Sequence, residues 1–332
     1  MNVLITGATG FLGGRLVEYF SDKSEFNRIL ATGRTLKSNE LTALPGVFVH
    51  LGELDNREFV DSLFDDHIDL IIHCAGLSSP WGSFDAFHRA NVISQENLIR
   101  RSAEQGQVRI IYISTPTIYF NFKDRLGLRE DDELPNKFVN HYASTKYAAE
   151  RMLAQSGLDH IIMRPRALIG RGDTVIMPRL IRAHREGKLR VMGNGTNRVD
   201  LTPVGNMCEA VYRASVADEA AWNTDYNISN GEPASLWEKV NLILELLDEQ
   251  PVSRRILIPV ARGAARLMEL KSTYLGGGEP PLTRYSVGVL SQSFGFDIRK
   301  SKEMLGYQPR QSVDHAIHEF AEWYKKEHHD QG

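Results

Sequence analysis

The opening stretch, residues 2–14, constrains the fold of this chain more than any other. Residues 3–5 form a short apolar run of the kind that is buried on both faces of a parallel sheet, and glycines follow directly at Gly7, Gly10 and Gly13. This order predicts a strand, a tight turn and a helix that begins near Phe11. Glycines in such a turn let the backbone approach a pyrophosphate, whose charge the helix N-terminus favours. The stretch therefore predicts a nucleotide-binding unit, with a glycine-rich turn that binds no ligand as the alternative.

The composition is that of an ordinary globular protein. Hydrophobic residues make up 42% of the 332 residues and charged residues 24%, which excludes disordered and fibrous classes. This length allows one large domain with a smaller appendage. The net charge of −3 provides no field that would attract nucleic acid, so we expect no nucleic-acid partner.

The cysteines and the first strand bear on the compartment. Cys74 and Cys208 have neither metal-type nor disulfide-framework spacing, so we expect a reducing compartment and no metal site. A strand that begins at residue 2 leaves no room for a signal peptide, and no apolar run approaches the roughly 18 residues that a membrane span needs. These observations predict a cytoplasmic protein.

Apolar strands alternate with helices through the first half of the chain. We expect strands at residues 3–5, 28–32, 47–51, 69–74, 109–113 and 160–164. This alternation indicates an α/β fold with a Rossmann-type doubly wound parallel sheet, which binds ligands at the carboxyl ends of its strands. We predict that residues 1–165, completed by parts of 198–230, form this Rossmann-type sheet and bind NADP, for the reason given below. Residues 166–332 are predicted to form mostly a smaller C-terminal substrate lobe. The run 198–204 is expected to return to the main sheet.

The end of the second strand bears on the choice of cofactor. In dinucleotide folds an acidic residue here bonds the ribose 2′-OH of NAD, whereas a nearby Arg accommodates the 2′-phosphate of NADP. Gly33 and Arg34 stand where the acid is expected, and Lys37 follows closely. The sequence therefore favours NADP over NAD, with a solvated turn residue as the alternative role for Arg34.

Polar residues at a later strand end point to proton-transfer chemistry. Ser114 and Thr115 follow the fifth strand, and Tyr142 and Lys146 then lie one turn apart on one helix face. His73, within the fourth strand, is expected to be a packed strand residue rather than a ligand.

The glycine spacing, the Ser-Thr strand end and the Tyr-x-x-x-Lys pair together resemble the extended branch of the short-chain dehydrogenase/reductases, over nearly the whole chain. The resemblance implies that Tyr142 is the general acid/base and that Lys146 lowers its pKa and holds the cofactor ribose. Thr115, rather than Ser114, is then the hydroxyl partner. An unperturbed phenol, with a pKa of about 10, cannot act as a base near neutrality, and an adjacent ammonium favours the phenolate. Asn91 matches an Asn beside the active site of these enzymes, or is a helix-surface amide.

The same resemblance implies a set of cofactor contacts from the glycine turn, the ends of the next strands, the Tyr-Lys pair and a proline after the sixth strand. These residues are Gly7, Thr9, Gly10, Phe11, Leu12, Gly13, Arg34, Glu53, Leu54, Ala75, Tyr142, Lys146 and Pro165. Glu53 would contact the adenine amino group.

Residues 279–285 and 296–309 resemble the 3β-hydroxysteroid dehydrogenase-like group, which includes sterol-4-carboxylate dehydrogenases and 2-alkyl-3-oxoalkanoate reductases. The resemblance implies an NADP-dependent oxidoreductase that acts on an apolar 3-oxo or 3-hydroxy substrate, either a lipid-like 3-oxo acid or a steroid. A nucleotide-sugar epimerase would share the fold and the triad. A dehydratase is disfavoured because Pro116 and Thr117 stand where such enzymes have Asp-Glu. A non-catalytic NADP-sensing regulator usually lacks the Tyr-Lys pair.

Three further segments carry expectations. Residues 260–274 predict an amphipathic helix with basic residues on its polar side, either packed on the core or serving as a lid or a transient membrane-surface contact. Arg166 and Arg171 could pair with a substrate carboxylate or belong to a solvated basic loop. Asn206 is expected to cap the helix that follows it. The sequence also leaves a homodimer open.

Overall fold

The apolar runs of the N-terminal half become the strands of one central sheet. The computed structural model describes residues 1–36, 40–276 and 278–329. The strands of these residues, in chain order, are β1 (Asn2–Thr6), β2 (Arg28–Gly33), β3 (Val47–Leu51), β4 (Leu70–His73), β5 (Arg109–Ile113), β6 (Arg125–Leu128), β7 (His160–Pro165), β8 (Leu168–Ile169), β9 (Val191–Met192), β10 (Arg198–Val199), β11 (Thr202–Pro203), β12 (Thr224–Ile228), β13 (Ala234–Ser235), β14 (Arg255–Ile256) and β15 (Phe294–Phe296).

Helices cover the sheet and build the C-terminal part. The α-helices of the described residues are α1 (Phe11–Ser21), α2 (Arg57–Ser62), α3 (Phe84–His88), α4 (Ser94–Gln105), α5 (His141–Ala154), α6 (Met177–Arg185), α7 (Val204–Ser215), α8 (Leu236–Leu246), α9 (Ile258–Leu275), α10 (Arg284–Ser291), α11 (Arg299–Leu305) and α12 (Val313–His329). Shorter 3₁₀ turns lie at Leu41–Ala43, Pro116–Tyr119 and Glu219–Ala221, and a π-helical turn lies at Arg89–Ile93.

The central sheet is seven-stranded and parallel, in the order β12-β7-β5-β4-β1-β2-β3. Its middle strands are buried on both faces, as the continuous apolar runs predict. The strand order reverses between β1 and β4, which places a crevice at the carboxyl ends of these two strands. The predicted doubly wound Rossmann-type sheet is confirmed.

The seventh strand of this sheet is not the one that the sequence suggested. The run 198–204 does not return to the central sheet. It divides into β10, which pairs with β13 and β15, and β11, which pairs with β8. Pro203 lacks the N–H that a central strand must donate, so this run forms only short pairings. The outer position beside β7 is taken by β12 instead.

The helical segment that carries Asn91 is interrupted. Ser83 caps α3 by accepting a hydrogen bond from the Ala86 N–H, and the π-helical turn Arg89–Ile93 then separates α3 from α4. Such turns add one residue to the helix and re-aim its side chains. Here the turn carries Asn91 into the protein interior, where the side chain is 1% exposed.

Asn206 does not cap α7, so that prediction is wrong. The N-cap of α7 is Pro203, and no side chain bonds the free N–H groups there. The Asn206 amide instead donates to Asn230 Oδ1 at 2.8 Å and accepts from the Gln311 N–H at 2.9 Å. A buried amide that can satisfy both its donor and its acceptor in long-range contacts is worth more there than at a helix end.

A separate apolar core forms among residues that follow β7, beside the two cores that cover the faces of the central sheet. It includes Met177, Trp237 and Phe320, whereas Phe294 and Phe296 of β15 pack with one of the cores at the sheet. After residue 165 the chain thus passes between this core and the central sheet. Among the described helices, none combines the length and the apolar character that crossing a membrane requires.

Candidate active site

The turn between β1 and α1 can be built only with glycine at two positions. Gly7 has φ +67°, and a Cβ there would lie 2.8 Å from the backbone N of Ala75. A Cβ at Gly13 would lie 2.1 Å from the carbonyl oxygen of Gly7, so any side chain would push α1 away from the turn. Gly10 is less restricted, since a Cβ there would lie 3.2 Å from that same carbonyl oxygen. The glycines therefore bring α1 and β4 together around one backbone cradle.

This cradle fits the pyrophosphate of a dinucleotide. Gly10 is the N-cap of α1, no side chain caps the helix, and its first turn carries no acidic residue. The N–H groups of Phe11 and Leu12 are among the first of the helix, which have no intrahelical acceptor, and the helix dipole favours an anion there. Thr9, also in this turn, is half-buried.

The ends of β2 and β3 form the far side of the crevice. A Cβ at Gly33 would lie 2.3 Å from Oγ1 of Thr9, so the Thr9 side chain occupies the place where a larger residue at position 33 would begin. Arg34 and Glu53 are both exposed beyond these strand ends. Lys37 lies outside the described residues. Packing against Thr9 thus explains why no acidic side chain stands at position 33.

Leu54, which follows Glu53, is fixed by a hydrogen bond from α4. It is buried, and its carbonyl oxygen accepts a hydrogen bond from Asn97 Nδ2 at 2.9 Å. Ala75 and Gly76 at the exit of β4 are small, which leaves backbone open along the crevice. Pro165 ends β7 and is buried opposite Ile228 of β12.

Tyr142 lies in the first turn of α5, which Asn140 caps by accepting a hydrogen bond from the Ala143 N–H at 2.9 Å. Burial raises the pKa of Tyr142, and hydrogen bonds with the Thr115 and Ser78 hydroxyls lower it in partial compensation. Three hydroxyls from three elements therefore meet at one point. This is an arrangement that can hold a carbonyl or alcohol oxygen and exchange a proton with it.

Lys146 follows one turn later and is 3% exposed. Its Nζ donates to the Ile113 carbonyl oxygen at 2.6 Å and lies 4.0 Å from the centroid of the Tyr112 ring. Burial lowers the pKa of Lys146 to about 7, and the Glu150 carboxylate opposes this shift. Lys146 is not among the groups that shift the pKa of Tyr142, so its role in tuning the phenol stays a prediction.

A buried ion cluster fixes α5 on the sheet. Arg164 of β7 donates to both carboxylate oxygens of Glu150, at 3.0 and 2.7 Å, and also contacts Asp225 and the Tyr119 hydroxyl. Burial lowers the pKa of Arg164, but Glu150, Tyr119 and Asp225 together outweigh this effect, so the net shift of its pKa is upward. Because Glu150 is one turn from Lys146, the cluster sets the rotation of the helix that carries Tyr142.

Asn91 links the loop that follows β4 to α5. Its Oδ1 accepts from the Leu77 N–H at 2.8 Å, and its Nδ2 donates to Thr145 Oγ1 at 3.0 Å. The alternative of a helix-surface amide is wrong, because the π-helical turn directs this side chain inward. Asn91 thus positions the backbone next to Ser78 without reaching the hydroxyl cluster itself.

Two residues of the cluster were not anticipated from the sequence. Ser78 comes from the loop after β4, and its position at a carboxyl strand end is the signal that could have found it. Tyr285 comes from α10, and its hydroxyl lies 3.2 Å from Thr117 Oγ1, which in turn lies 3.0 Å from Thr115 Oγ1. No local pattern in the sequence pairs Tyr285 with residues so far away.

The remaining candidates divide between core, surface and site. His73 is fully buried, bonded to Thr6 Oγ1 at 2.6 Å through Nδ1, as expected of a packed strand residue. Ser114 is buried, and its hydroxyl has no partner among the described residues. Arg171 pairs with Glu18 on α1, away from the hydroxyl cluster. Arg166 is buried and bonds Tyr285, at the edge of the cluster.

Comparison with known proteins gives consistent matches. Residues 3–229 match the model of the NAD dependent epimerase/dehydratase family. The chain is 32% identical over 326 residues to a 2-alkyl-3-oxoalkanoate reductase of Stenotrophomonas maltophilia, covering 96% of this chain and 97% of the relative. It is 31% identical over 333 residues to 3beta-hydroxysteroid-dehydrogenase/decarboxylase isoform 1 of Arabidopsis thaliana, covering 92% of this chain and 75% of the relative.

A solved structure extends the comparison to three dimensions. The crystal structure of UDP-glucuronic acid 4-epimerase from Bacillus cereus in complex with NAD is similar at a TM-score of 0.76, covering 98% of this chain and 99% of that one. The two sequences are 20% identical, so this likeness shows a shared fold.

Proposed function

The chain belongs to the NAD-dependent epimerase/dehydratase family, as an extended short-chain dehydrogenase/reductase, and from this premise we propose that it reduces a ketone, or oxidises the matching secondary alcohol, with NADP. It is an oxidoreductase that acts on CH–OH groups. We further propose that its substrate is an apolar 3-oxo or 3-hydroxy compound. The names of the reductase and hydroxysteroid dehydrogenase relatives support this substrate class.

One observation carries the proposal. Tyr142 lies within hydrogen-bonding reach of Thr115 and Ser78, one helical turn before Lys146, at the carboxyl edge of the sheet. In the reductive direction the two hydroxyls hold the ketone oxygen, and the Tyr142 phenol gives that oxygen its proton. A nicotinamide cofactor held in the crevice would supply the hydride to the carbonyl carbon in reduction and would accept it from the alcohol carbon in oxidation. In the oxidative direction the Tyr142 phenolate accepts the alcohol proton, and the Lys146 ammonium stabilises it.

NADP as the cofactor rests on the end of β2. Thr9 fills the space beside Gly33, so no acid stands there to repel a 2′-phosphate, and Arg34 is the next residue. We also propose that the glycine cradle and, along the crevice, Glu53, Leu54, Ala75 and Pro165 contact the cofactor. A reducing, cytoplasmic setting and a homodimer stay predictions.

The direct test is a screen of hydride transfer. Oxidation of NADPH and of NADH is followed at equal concentrations with a series of 3-oxo acids, with 3-oxosteroids and with nucleotide sugars. We expect NADPH-dependent reduction whose kcat/KM rises as the acyl chain lengthens, because each buried methylene contributes about 0.8 kcal/mol. Conversion of nucleotide sugars alone would replace this proposal with an epimerase. Absence of turnover with every class, despite tight cofactor binding, would favour the regulator.

We also propose a lipid surface as the partner of α9. Its exposed apolar side chains Val260, Leu267, Leu270 and Tyr274 recur every three to seven residues along one side of the helix. Exposed Arg266 and Lys271 flank this stripe, and their positive charges are complementary to an anionic membrane surface.

A further inference from the structure

Arg166 carries a buried positive charge that lacks a direct counter-charge. It is the first residue after β7 and is 8% exposed. Its Nε has no hydrogen-bond partner among the described residues, and none of their carboxylates forms an ion pair with it. Its guanidinium contacts the Tyr285 hydroxyl and lies 5.1 Å from the centroid of the Phe294 ring. A guanidinium does not give up its proton in a protein, so the charge must be balanced in some other way.

The nearest acid does not provide that balance by direct contact. Asp200 acts on Arg166 through space without forming an ion pair: its Oδ2 accepts from the Ser229 hydroxyl at 2.9 Å and from the Phe296 N–H at 2.7 Å, and its Oδ1 has no hydrogen-bond partner among the described residues. Burial raises the pKa of Asp200, and the two hydrogen bonds each oppose this shift more than Arg166 does. A buried guanidinium with one free donor and no bonded carboxylate is suited to an anion that arrives from outside.

A chain of hydroxyls joins this guanidinium to the reacting centre. Tyr285, which bonds Arg166, lies 3.2 Å from Thr117 Oγ1, and Thr117 Oγ1 accepts from Thr115 Oγ1 at 3.0 Å. Thr115 bonds Tyr142. Four successive contacts therefore link the cation to the proton donor. A 3-oxo acid carries a ketone and a carboxylate, which are the two kinds of group that Tyr142 and Arg166 can bind.

We propose that Arg166 and Tyr285 bind the carboxylate of the substrate, so that the enzyme selects free 3-oxo and 3-hydroxy acids over their neutral esters and over neutral steroids. This inference rests on the proposed function and assigns its specificity to two residues. Arg166 forms the ion pair, and Tyr285 adds a hydrogen bond and fixes the guanidinium. The anchored carboxylate then presents the neighbouring ketone oxygen to Thr115 and Tyr142.

The test compares one acid with its own methyl ester, for example a long-chain 2-alkyl-3-hydroxy acid oxidised with NADP⁺. The wild type is expected to prefer the acid. Because a charge-assisted hydrogen bond to carboxylate is lost, Arg166→Gln should lower kcat/KM for the acid by about 10- to 100-fold and for the ester by less than about threefold. Arg166→Lys should retain part of the preference, and Tyr285→Phe should lower it by about fivefold.

Two controls separate a binding role from a structural one. Arg171→Gln removes the neighbouring arginine that pairs with Glu18, and it should leave the ratio of acid to ester unchanged. Titration with NADPH checks that each Arg166 variant still binds the cofactor. If Arg166→Gln does not fold, Tyr285→Phe tests the preference for the acid in its place. Equal losses for acid and ester, or an unchanged preference in Arg166→Gln and Tyr285→Phe, would overturn the carboxylate site while the proposed function stands. Failure of the wild type to oxidise either compound would overturn both.

Discussion

Burial shifts the pKa values of the side chains at the proposed catalytic edge more than neighbouring charges do. Desolvation lowers the pKa of Lys146 to about 7 although Glu150 lies one turn away. It raises the pKa of Tyr142 although two hydroxyls bond that phenol. Burial therefore favours the neutral form of both residues in the protein alone. A negatively charged ligand beside Lys146 would restore its ammonium form, which couples the state of the pair to occupation of the crevice.

Removal of the Tyr142 hydroxyl tests the proton-transfer role. Tyr142→Phe keeps the ring and its packing but leaves the substrate oxygen without a proton donor, so kcat should fall by roughly 10² to 10⁴. NADPH affinity, measured by fluorescence titration, should change little. Lys146→Ala should weaken both turnover and cofactor binding. Near-normal turnover by Tyr142→Phe on a good substrate would show that another group moves the proton.

Arg34 tests the choice of cofactor. Arg34→Ala removes the cation proposed to bind the 2′-phosphate, and a charge-assisted hydrogen bond of this kind makes a difference of about 10- to 100-fold in the dissociation constant of NADPH. NADH lacks that phosphate, so its dissociation constant should stay the same in a parallel titration. A similar loss for both cofactors would show that Arg34 does not distinguish them.

His73 gives the folded protein a predictable response to acid. Burial lowers its pKa from 6.5 to about 3, with Lys146 adding to the effect. Between pH 6.5 and pH 3, His73 binds a proton in the unfolded chain but stays neutral in the folded chain. The stability due to this residue is therefore complete above pH 6.5 and falls as the pH drops toward 3, by up to about 1.4 kcal/mol per pH unit.

Urea unfolding of wild type and His73→Gln between pH 6 and pH 4.5 measures the contribution of His73 to the pH dependence of stability. The variant should be less stable at neutral pH, because it loses the contact with Thr6 and the stacking on Tyr112, but its stability should fall less steeply with acid. Carboxylates contribute equally to both proteins, so the difference in slope reports His73 alone. Parallel curves would mean that His73 is protonated in the folded state.

The contact between α1 and the glycine turn leaves no room for a side chain at position 13. In Gly13→Ala the new methyl group would lie 2.1 Å from the Gly7 carbonyl oxygen, so α1 must move and the cradle must open. We expect a loss of roughly 1 to 3 kcal/mol in the free energy of unfolding, as in overpacked cores, together with a large loss of NADPH affinity.

A matched glycine provides the control for that experiment. Gly263 lies within α9, where a Cβ would meet nothing within 4 Å. Gly263→Ala should stabilise the protein by about 0.5 to 1 kcal/mol, because alanine favours the helix, and should leave cofactor binding unchanged. If both alanine variants behaved alike in thermal unfolding and in titration, the glycine turn would not be the close contact that the structure describes.

The elements differ in how far the sequence could predict them. The middle strands of the central sheet are buried on both faces, so their continuous apolar runs were readable from the sequence. β1, β3 and β5 begin and end close to where expected. The two-residue strands that pair β8 with β11 depend on partners far along the chain. Thr115 lies beside Tyr142, with Lys146 one turn later on α5, whereas Tyr285 joins them only through the packing of α10, which no local pattern encodes.

At the scale of the whole molecule, α9 connects the surface to the site. One side of α9 is buried through Ala261 and Ala265, and the opposite side exposes Leu267 at 70% and Tyr274 at 79%. On the inner side, Glu269 accepts from the N–H of Arg284 at 2.7 Å, next to Tyr285. A lipid surface bound to the outer stripe of α9 would therefore lie one helix away from the proposed carboxylate site.

This arrangement predicts binding to anionic membranes. In sedimentation with vesicles the wild type should bind those that contain phosphatidylserine more strongly than phosphatidylcholine alone, because Arg266 and Lys271 flank the apolar stripe. The double variant Leu267→Ser/Tyr274→Ser should lose most of this binding, since about 1 to 2 kcal/mol of apolar transfer is lost at each position. Leu126→Ser, at a leucine of β6 that is 53% exposed, is the control and should bind like wild type.

Because neither changed side chain of the double variant reaches Tyr142, its kcat on a short dispersed substrate should stay normal. Equal binding of all three proteins would exclude α9 as the membrane contact, whereas a fall in kcat would place the stripe in the substrate path.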